Sequence, residues 1–230
     1  MYQSNLYVDI GHSAVKWRTH DSEVFSQSID KFSEKSLPDN QSVWLSAVAH
    51  PEIVKAIEMV FSDVEVVRSL SHFGSLTIAY EEPLDLGSDR FLAMIGALKY
   101  FPDRNLLIID VGSALTIDVV NDSGEHKGGL IMPGLEALRG SFAKFATNSQ
   151  YLNSSSFQTS TKEAWLSGTQ AMLVSSIKEQ IIGFESERPN GIVILTGGIV
   201  RSLISELPET VNYFDNLVLD GLESYSKSMG

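Results

Sequence analysis

The sequence predicts an α/β protein built as two similar domains, each a mixed sheet flanked by helices. Three observations carry this expectation. An apolar run ending in Asp-x-Gly and a small-residue turn occurs once in each half, as NLYVDIGHSAVKW (5–17) and NLLIIDVGSALTIDVV (105–120). Each copy opens three strand-like segments in a row, after which helical and strand periodicities alternate. A turn cluster, PDRN (102–105), separates the two series and predicts domains at 1–104 and 105–230.

In the first half, strands are predicted over 5–10, 14–20 and 23–28, joined by turns rich in Gly, Ser, His and Asp. SVWLSAV (42–48) adds a strand, and PEIVKAIEMVFS (51–62) is an amphipathic helix with proline in its first turn. VEVVR (64–68) reads as a short strand, and SDRFLAMIGALKYF (88–101) as a helix with Ser88 as its N-cap. The second half restarts with strands over 105–111, 114–120 and about 125–132, followed by a helix over 133–146. The polar stretch 147–161 has little to bury and reads as a loop. A long helix (162–185), strand 191–196, helix 198–207, strand 214–219 and helix 221–229 complete the order. A duplicated α/β unit fits this order; a single dinucleotide-binding domain does not.

A net charge of −12 with no Lys/Arg cluster argues against nucleic-acid binding, because phosphate neutralisation needs a basic face. A phosphate-bearing ligand must instead be held by backbone N–H groups, a helix N-terminus, a lysine or a bound cation. The absence of cysteine excludes disulfides, thiolate metal sites and a cysteine nucleophile. No basic-then-apolar leader opens the chain, and no apolar run approaches the ~18 residues of a membrane span, so a cytoplasmic protein is expected. The histidines at 20, 50, 72 and 126 lack metal-ligand spacing and read as structural or exposed.

A strand that runs into Asp-x-Gly can expose N–H groups to an oxyanion, since glycine lets another group approach the backbone closely. The aspartate can then hold a cation or a water beside a phosphate. One such turn alone is equally a tight hairpin with a capping aspartate. Two copies in matching strand contexts, one with Lys16 on the next strand, favour the phosphate reading. The common phosphate loops GxxxxGK[ST] and GxGxxG are absent. A third glycine turn, IVILTGGIVRSL (192–203), joins strand to helix and could seat a base or ribose.

YEEPLDLGSDRFLAMIGA (80–97) places Asp89 at a helix start, where the helix dipole favours its ionised form. A carboxylate there can accept a proton from a substrate hydroxyl, and Arg90 offers a planar fork for a carboxylate. The alternative is plain capping, with Ser88 as N-cap, Asp89 in the first turn and Arg90 in solvent.

Together these residues resemble the type III pantothenate kinases, within the superfamily of actin-like ATPases and sugar kinases. DIGHSAVK (9–16) is similar to that family's DxGNTxxK hairpin, and DVGSALT (110–116) to its DxGTATT hairpin. Tyr80, Pro83, Leu86, Gly87, Asp89 and Arg90 follow its Tyr…Pro…Leu-Gly-x-Asp-Arg segment. GGLIMPGLEAL (128–138) and LTGG (195–198) resemble two further segments, in family order. His12-Ser13 stands where the family has Asn-Thr, and Ser113 where it has Thr.

The resemblance implies two ribonuclease H-like domains and an ATP-dependent phosphorylation of pantothenate. It makes Asp89 the general base and Tyr80, Gly87, Ser88 and Arg90 the pantothenate contacts. Asp9, Gly11, His12, Ser13, Lys16 and Ser113 become ATP contacts, with Mg²⁺, and Asp110 a ligand of K⁺ or NH₄⁺. STKEAW (160–165) resembles a family stretch that puts Thr161 on the substrate across a homodimer interface. A regulator of the same fold that binds ligands without turnover, or a kinase of another hydroxy acid, is the alternative.

Overall fold

The computed structural model describes residues 5–20, 22–39, 42–147 and 156–229. The first sheet is built from β1 (Asn5–Ile10), β2 (Ala14–Thr19), β3 (Phe25–Ser28), β4 (Ser42–Ala47) and, after helix α1 (Pro51–Val60), β5 (Val64–Val66). Its order is β3-β2-β1-β4-β5. The hairpin strands β1, β2 and β3 are antiparallel, whereas β4 and β5 run parallel to β1. Strand alternation divides the residues of β1 between the two faces. Leu6, Val8 and Ile10 enter a core with Leu45, Ile57 and Phe61, while Tyr7 and Asp9 point to the opposite face. A small ribbon of β6 (His72–Phe73) and β7 (Leu76–Thr77), which sequence periodicity does not reveal, precedes helix α2 (Ser88–Tyr100).

The second sheet repeats the plan. It comprises β8 (Leu106–Val111), β9 (Ala114–Val120), β10 (His126–Pro133), β11 (Ile192–Thr196) and β12 (Asn212–Tyr213), with α3 (Leu135–Gly140), α4 (Thr161–Glu187) and α5 (Val200–Leu203) between them. Its order, β10-β9-β8-β11-β12, matches the first sheet strand for strand. Leu107, Ile109 and Val111 pack with Leu173, Ile177 and Ile181 of α4. Asp110 sits in the strand position that Asp9 holds in β1, and points away from that core.

The last helix, α6 (Leu217–Met229), returns to the first compact unit. That unit groups Met1–Pro102, Ser123–His126 and Asn216–Gly230; the second groups Asp103–Asp122 and Lys127–Asp215. A single cut between 104 and 105 therefore leaves out this return. The apolar run at 217–219, read from sequence as a strand, lies inside α6, and the strand is shorter and earlier, at 212–213. Tertiary packing decides this. Gly96 of α2 and Gly221 of α6 let the two helix backbones touch, since a Cβ at Gly221 would collide with the Leu92 carbonyl. Arg18 ties α6 to the sheet through Asp220 (2.7 Å) and Glu223 (2.9 Å).

Two other helices are shorter than expected. Instead of spanning 133–146, α3 stops at Gly140, where propensity falls, and Phe142 and Phe145 turn onto Trp165. The 198–207 helix is one turn, Val200–Leu203, continued by a 3₁₀ turn. Most of the 147–161 loop lies outside the described residues; Thr161 itself opens α4.

Candidate active site

The first hairpin joins β1 to β2. Gly11 N–H donates to the Ala14 carbonyl (3.1 Å), which leaves His12 and Ser13 at the exposed tip. His50 braces that tip: its Nε2 donates to the His12 carbonyl (3.1 Å) while Nδ1 faces Glu52 (3.0 Å). The His12 carbonyl, then Glu52, raise the His50 pKa, because both stabilise its charged ring. The backbone of His50 is left-handed (φ 57°), directly before the proline that opens α1. The structural reading of His50 from sequence holds, but its partner, 38 residues away, is not marked by local spacing.

Asp9 pairs in register with Lys16 on β2 and with Ser46 on β4. Its carboxyl is pushed up to about 6, mainly by burial and then by the charge of Asp89, while Ser46 and Lys16 act in the opposite sense. The two predicted carboxylates are thus neighbours in the fold. Ser46, fully buried, is a further site residue that its alternating strand pattern alone does not mark.

Asp89 lies in the first turn of α2. Gly87, with extended backbone, occupies the N-cap in place of Ser88, and the Asp89 Oδ1 accepts the Arg90 amide (2.7 Å). Ser88 is the first helical residue; its Oγ is buried and has no hydrogen-bond partner among the described residues. The approach to this turn is fixed by Ser69, whose hydroxyl donates to the Leu86 carbonyl (2.8 Å).

Arg90 is 5% exposed, so the capping alternative with a solvated arginine does not describe this site. Its Nη1 donates to the Tyr80 hydroxyl (2.9 Å), and its guanidinium lies 5.7 Å from the Tyr80 ring centre. A cavity of about 550 Å³ opens at the ends of β4 and β5, lined by Ala47, Val48, Val67, Ser69, Gly87 and Ser88, with Lys55 and Arg68 also bordering it. Its volume suits a small organic molecule. Glu58 and Asp85 line it as well, so its border carries both signs of charge, and Ser88 in its lining directly precedes Asp89.

In the second unit, Asp110 pairs with Thr116 on β9 and Thr196 on β11, so a hydroxyl flanks it on both sides. Gly112 N–H donates to the Ala114 carbonyl (2.9 Å), leaving Ser113 alone at a tip one residue shorter than the first. Gly197, at φ 109°, turns the LTGG segment against this hairpin; a Cβ there would stand 2.6 Å from Asp110 Oδ1. Gly134 approaches the Ser113 carbonyl just as closely. Three separated glycine motifs therefore converge on Asp110 and Ser113. Thr161 stands exposed at the start of α4, after Ser160, whose hydroxyl caps the helix by accepting Glu163 N–H (3.3 Å). Among the described residues, no cluster of three or more His, Cys, Asp and Glu is arranged to bind a metal, and no helix is long and apolar enough to cross a membrane.

The family model for type III pantothenate kinase matches residues 5–182. The chain is 32% identical over 231 residues to the type III pantothenate kinase of Hahella chejuensis, with 94% of each chain covered. Among solved structures, a Campylobacter jejuni protein named for the Baf family of transcriptional activators superposes with a TM-score of 0.65 at 20% identity, covering 97% of this chain and 98% of that one. The activator of 2-hydroxyisocaproyl-CoA dehydratase from Clostridium difficile, with bound ADPNP, gives 0.52 at 15% identity, covering 99% and 96%. These two likenesses concern the fold, two ribonuclease H-like domains of the actin-like ATPase kind. The sequence relationship reaches further: at this identity, along nearly its whole length, the chain belongs to the type III pantothenate kinase family.

Proposed function

We propose that the protein transfers the γ-phosphoryl group of ATP to the hydroxyl of pantothenate, giving 4′-phosphopantothenate in the first step towards coenzyme A. The observation that carries this reading is the electrostatic influence of Asp89 on buried Asp9, with Gly87 and Ser88, which precede Asp89, lining the cavity at the start of α2. Asp89 takes the proton of the attacking hydroxyl as general base. Gly87, Ser88, Tyr80 and Arg90 hold the substrate, the buried guanidinium pairing with its carboxylate. The orphaned Ser88 hydroxyl supports this assignment, because a buried hydroxyl without a partner costs free energy until a ligand satisfies it.

Phosphoryl transfer relies on positioning and on neutralising the charge that spreads over the transferred group. Backbone N–H groups of His12 and Ser13 and the Lys16 ammonium supply that in the first unit, where Gly11 keeps the turn open, and the Ser113 hydroxyl supplies it in the second. Mg²⁺ fits Asp9, an oxygen donor whose ionised form a divalent cation would stabilise against burial and against Asp89. K⁺ or NH₄⁺ fits Asp110, flanked by hydroxyl residues and glycine backbone. The cations supply charge neutralisation; the protein's own groups orient the reactants and move the proton.

The protein acts in the cytoplasm as a homodimer, and Thr161 reaches the substrate of the partner copy. Support comes from edge strand β10, where Leu130 (44%) and Ile131 (66%) are exposed apolar residues that a second copy would cover. The deciding experiment incubates purified protein with Mg-ATP, potassium and pantothenate. ADP and phosphopantothenate should accumulate together; binding of both ligands without ADP release from any common nucleotide would leave a non-catalytic regulator instead.

A further inference from the structure

We propose that His126 is a positioning residue for the substrate-binding pair Tyr80 and Arg90, a role that rests on the pantothenate reading above. His126 opens β10 and is 3% exposed. Residues 123–126 group with the first compact unit, and the backbone delivers the histidine there. Thr77 N–H donates to the Gly124 carbonyl (3.0 Å), and Thr77 pairs with Glu125 as a parallel bridge. One residue past Glu125, His126 meets Ala79, two residues past Thr77, whose N–H donates to His126 Nδ1 (3.4 Å).

That bond has a chemical consequence. A ring nitrogen that accepts cannot carry a proton, so the neutral ring has its hydrogen on Nε2. The same ring lies parallel to the Tyr80 ring, 6.0 Å between centres and 8° between planes. Tyr80 is thereby held on one flat wall while its hydroxyl accepts from Arg90 Nη1 (2.9 Å). A phenol that accepts from arginine keeps its own proton to donate, so Tyr80 and Arg90 together present donors to an anionic oxygen. His126 acts through Tyr80, on the direction in which those donors point.

Two substitutions separate the ring from the acceptor. His126→Asn keeps an acceptor near the Nδ1 position but removes the stacking wall; His126→Phe restores a wall without the acceptor. Steady-state kinetics should show the KM for pantothenate raised about tenfold in His126→Asn, the loss expected of a stacked ring pair. The KM for ATP and kcat should stay within about twofold, the signature of lost ground-state positioning, and His126→Phe should recover most of the pantothenate affinity. An unchanged pantothenate KM in His126→Asn, or equal loss for both substrates, overturns the proposal. A wild-type enzyme that does not phosphorylate pantothenate defeats the functional reading instead. The positioning geometry is then decided on unliganded wild-type protein by ¹⁵N NMR of the ring: an unprotonated Nδ1 is expected, and a protonated Nδ1 overturns it.

Discussion

Asp9, at the end of β1, is held at a pKa of about 6 by burial and by the charge of Asp89 in the first turn of α2. Burial and a like charge both disfavour the ionised form, so the native state binds this proton more tightly than the unfolded chain does. The native proton count therefore exceeds the unfolded one between the ordinary aspartate value of 3.8 and about 6, and stability contributed by this group falls as pH rises through that window. Asp9→Asn removes the penalty. In EDTA, urea denaturation at pH 8 should show the mutant more stable by up to about 3 kcal/mol, a ceiling set by the size of the shift. The advantage should vanish below about pH 4. An equal difference at both pH values would exclude ionisation of Asp9 as its cause.

Asp89→Asn should lower kcat by roughly 10²-fold or more, the usual scale for a lost general base. Circular dichroism should be unchanged, because the amide oxygen can still accept the Arg90 N–H. With its neighbour neutral, Asp9 should titrate lower, which carboxyl ¹³C NMR reads directly. Near-wild-type turnover would remove Asp89 from the mechanism, whatever the Asp9 result.

Arg90→Lys keeps the charge and loses the fork. Since Arg90 is buried against Tyr80, lysine cannot reproduce both the Tyr80 bond and a bidentate carboxylate pair. Calorimetry should show pantothenate affinity reduced about tenfold or more, on the scale of a lost charge-assisted hydrogen bond. ATP affinity should be little changed, because no proposed ATP contact lies on α2. Equal weakening of both ligands would count against the clamp.

Activity in sodium-only buffer should be low and should recover on adding potassium, if Asp110 ligates a monovalent cation. Asp110→Asn should blunt the recovery. Equal rates in the two salts would take the cation out of the scheme.

Gly221→Ala should be costly, since the new methyl meets the Leu92 carbonyl where α2 and α6 touch. A loss of about 1–3 kcal/mol is the usual range for overpacking. Gly183→Ala on α4, exposed and with nothing within 4 Å of the new carbon, should instead stabilise by about 0.5–1 kcal/mol through helix propensity. Thermal melts of the pair test this; a harmless Gly221→Ala would mean that the helices can separate freely.

Local units and their order are legible in the residues alone. Asp9-x-Gly11 and Asp110-x-Gly112 are turn chemistry between neighbouring residues, and β1, β2, β8 and β9 follow from adjacent alternation, so the duplicated plan was readable. So was the helix start at Gly87–Arg90, although the identity of its cap was not, because Gly and Ser both suit that position. The remaining features depend on residues far apart in the chain. The 217–219 run is apolar enough for a strand, yet lies in α6, which packs on α2 through Gly221. His50 reaches the His12 carbonyl, His126 stacks on Tyr80 and Gly197 closes on Asp110 only once strands and segments have paired. Asp9 and Asp89 likewise become one electrostatic unit only when folding brings the start of α2 near β1, because burial and like-charge repulsion act through space and leave no mark on local sequence spacing.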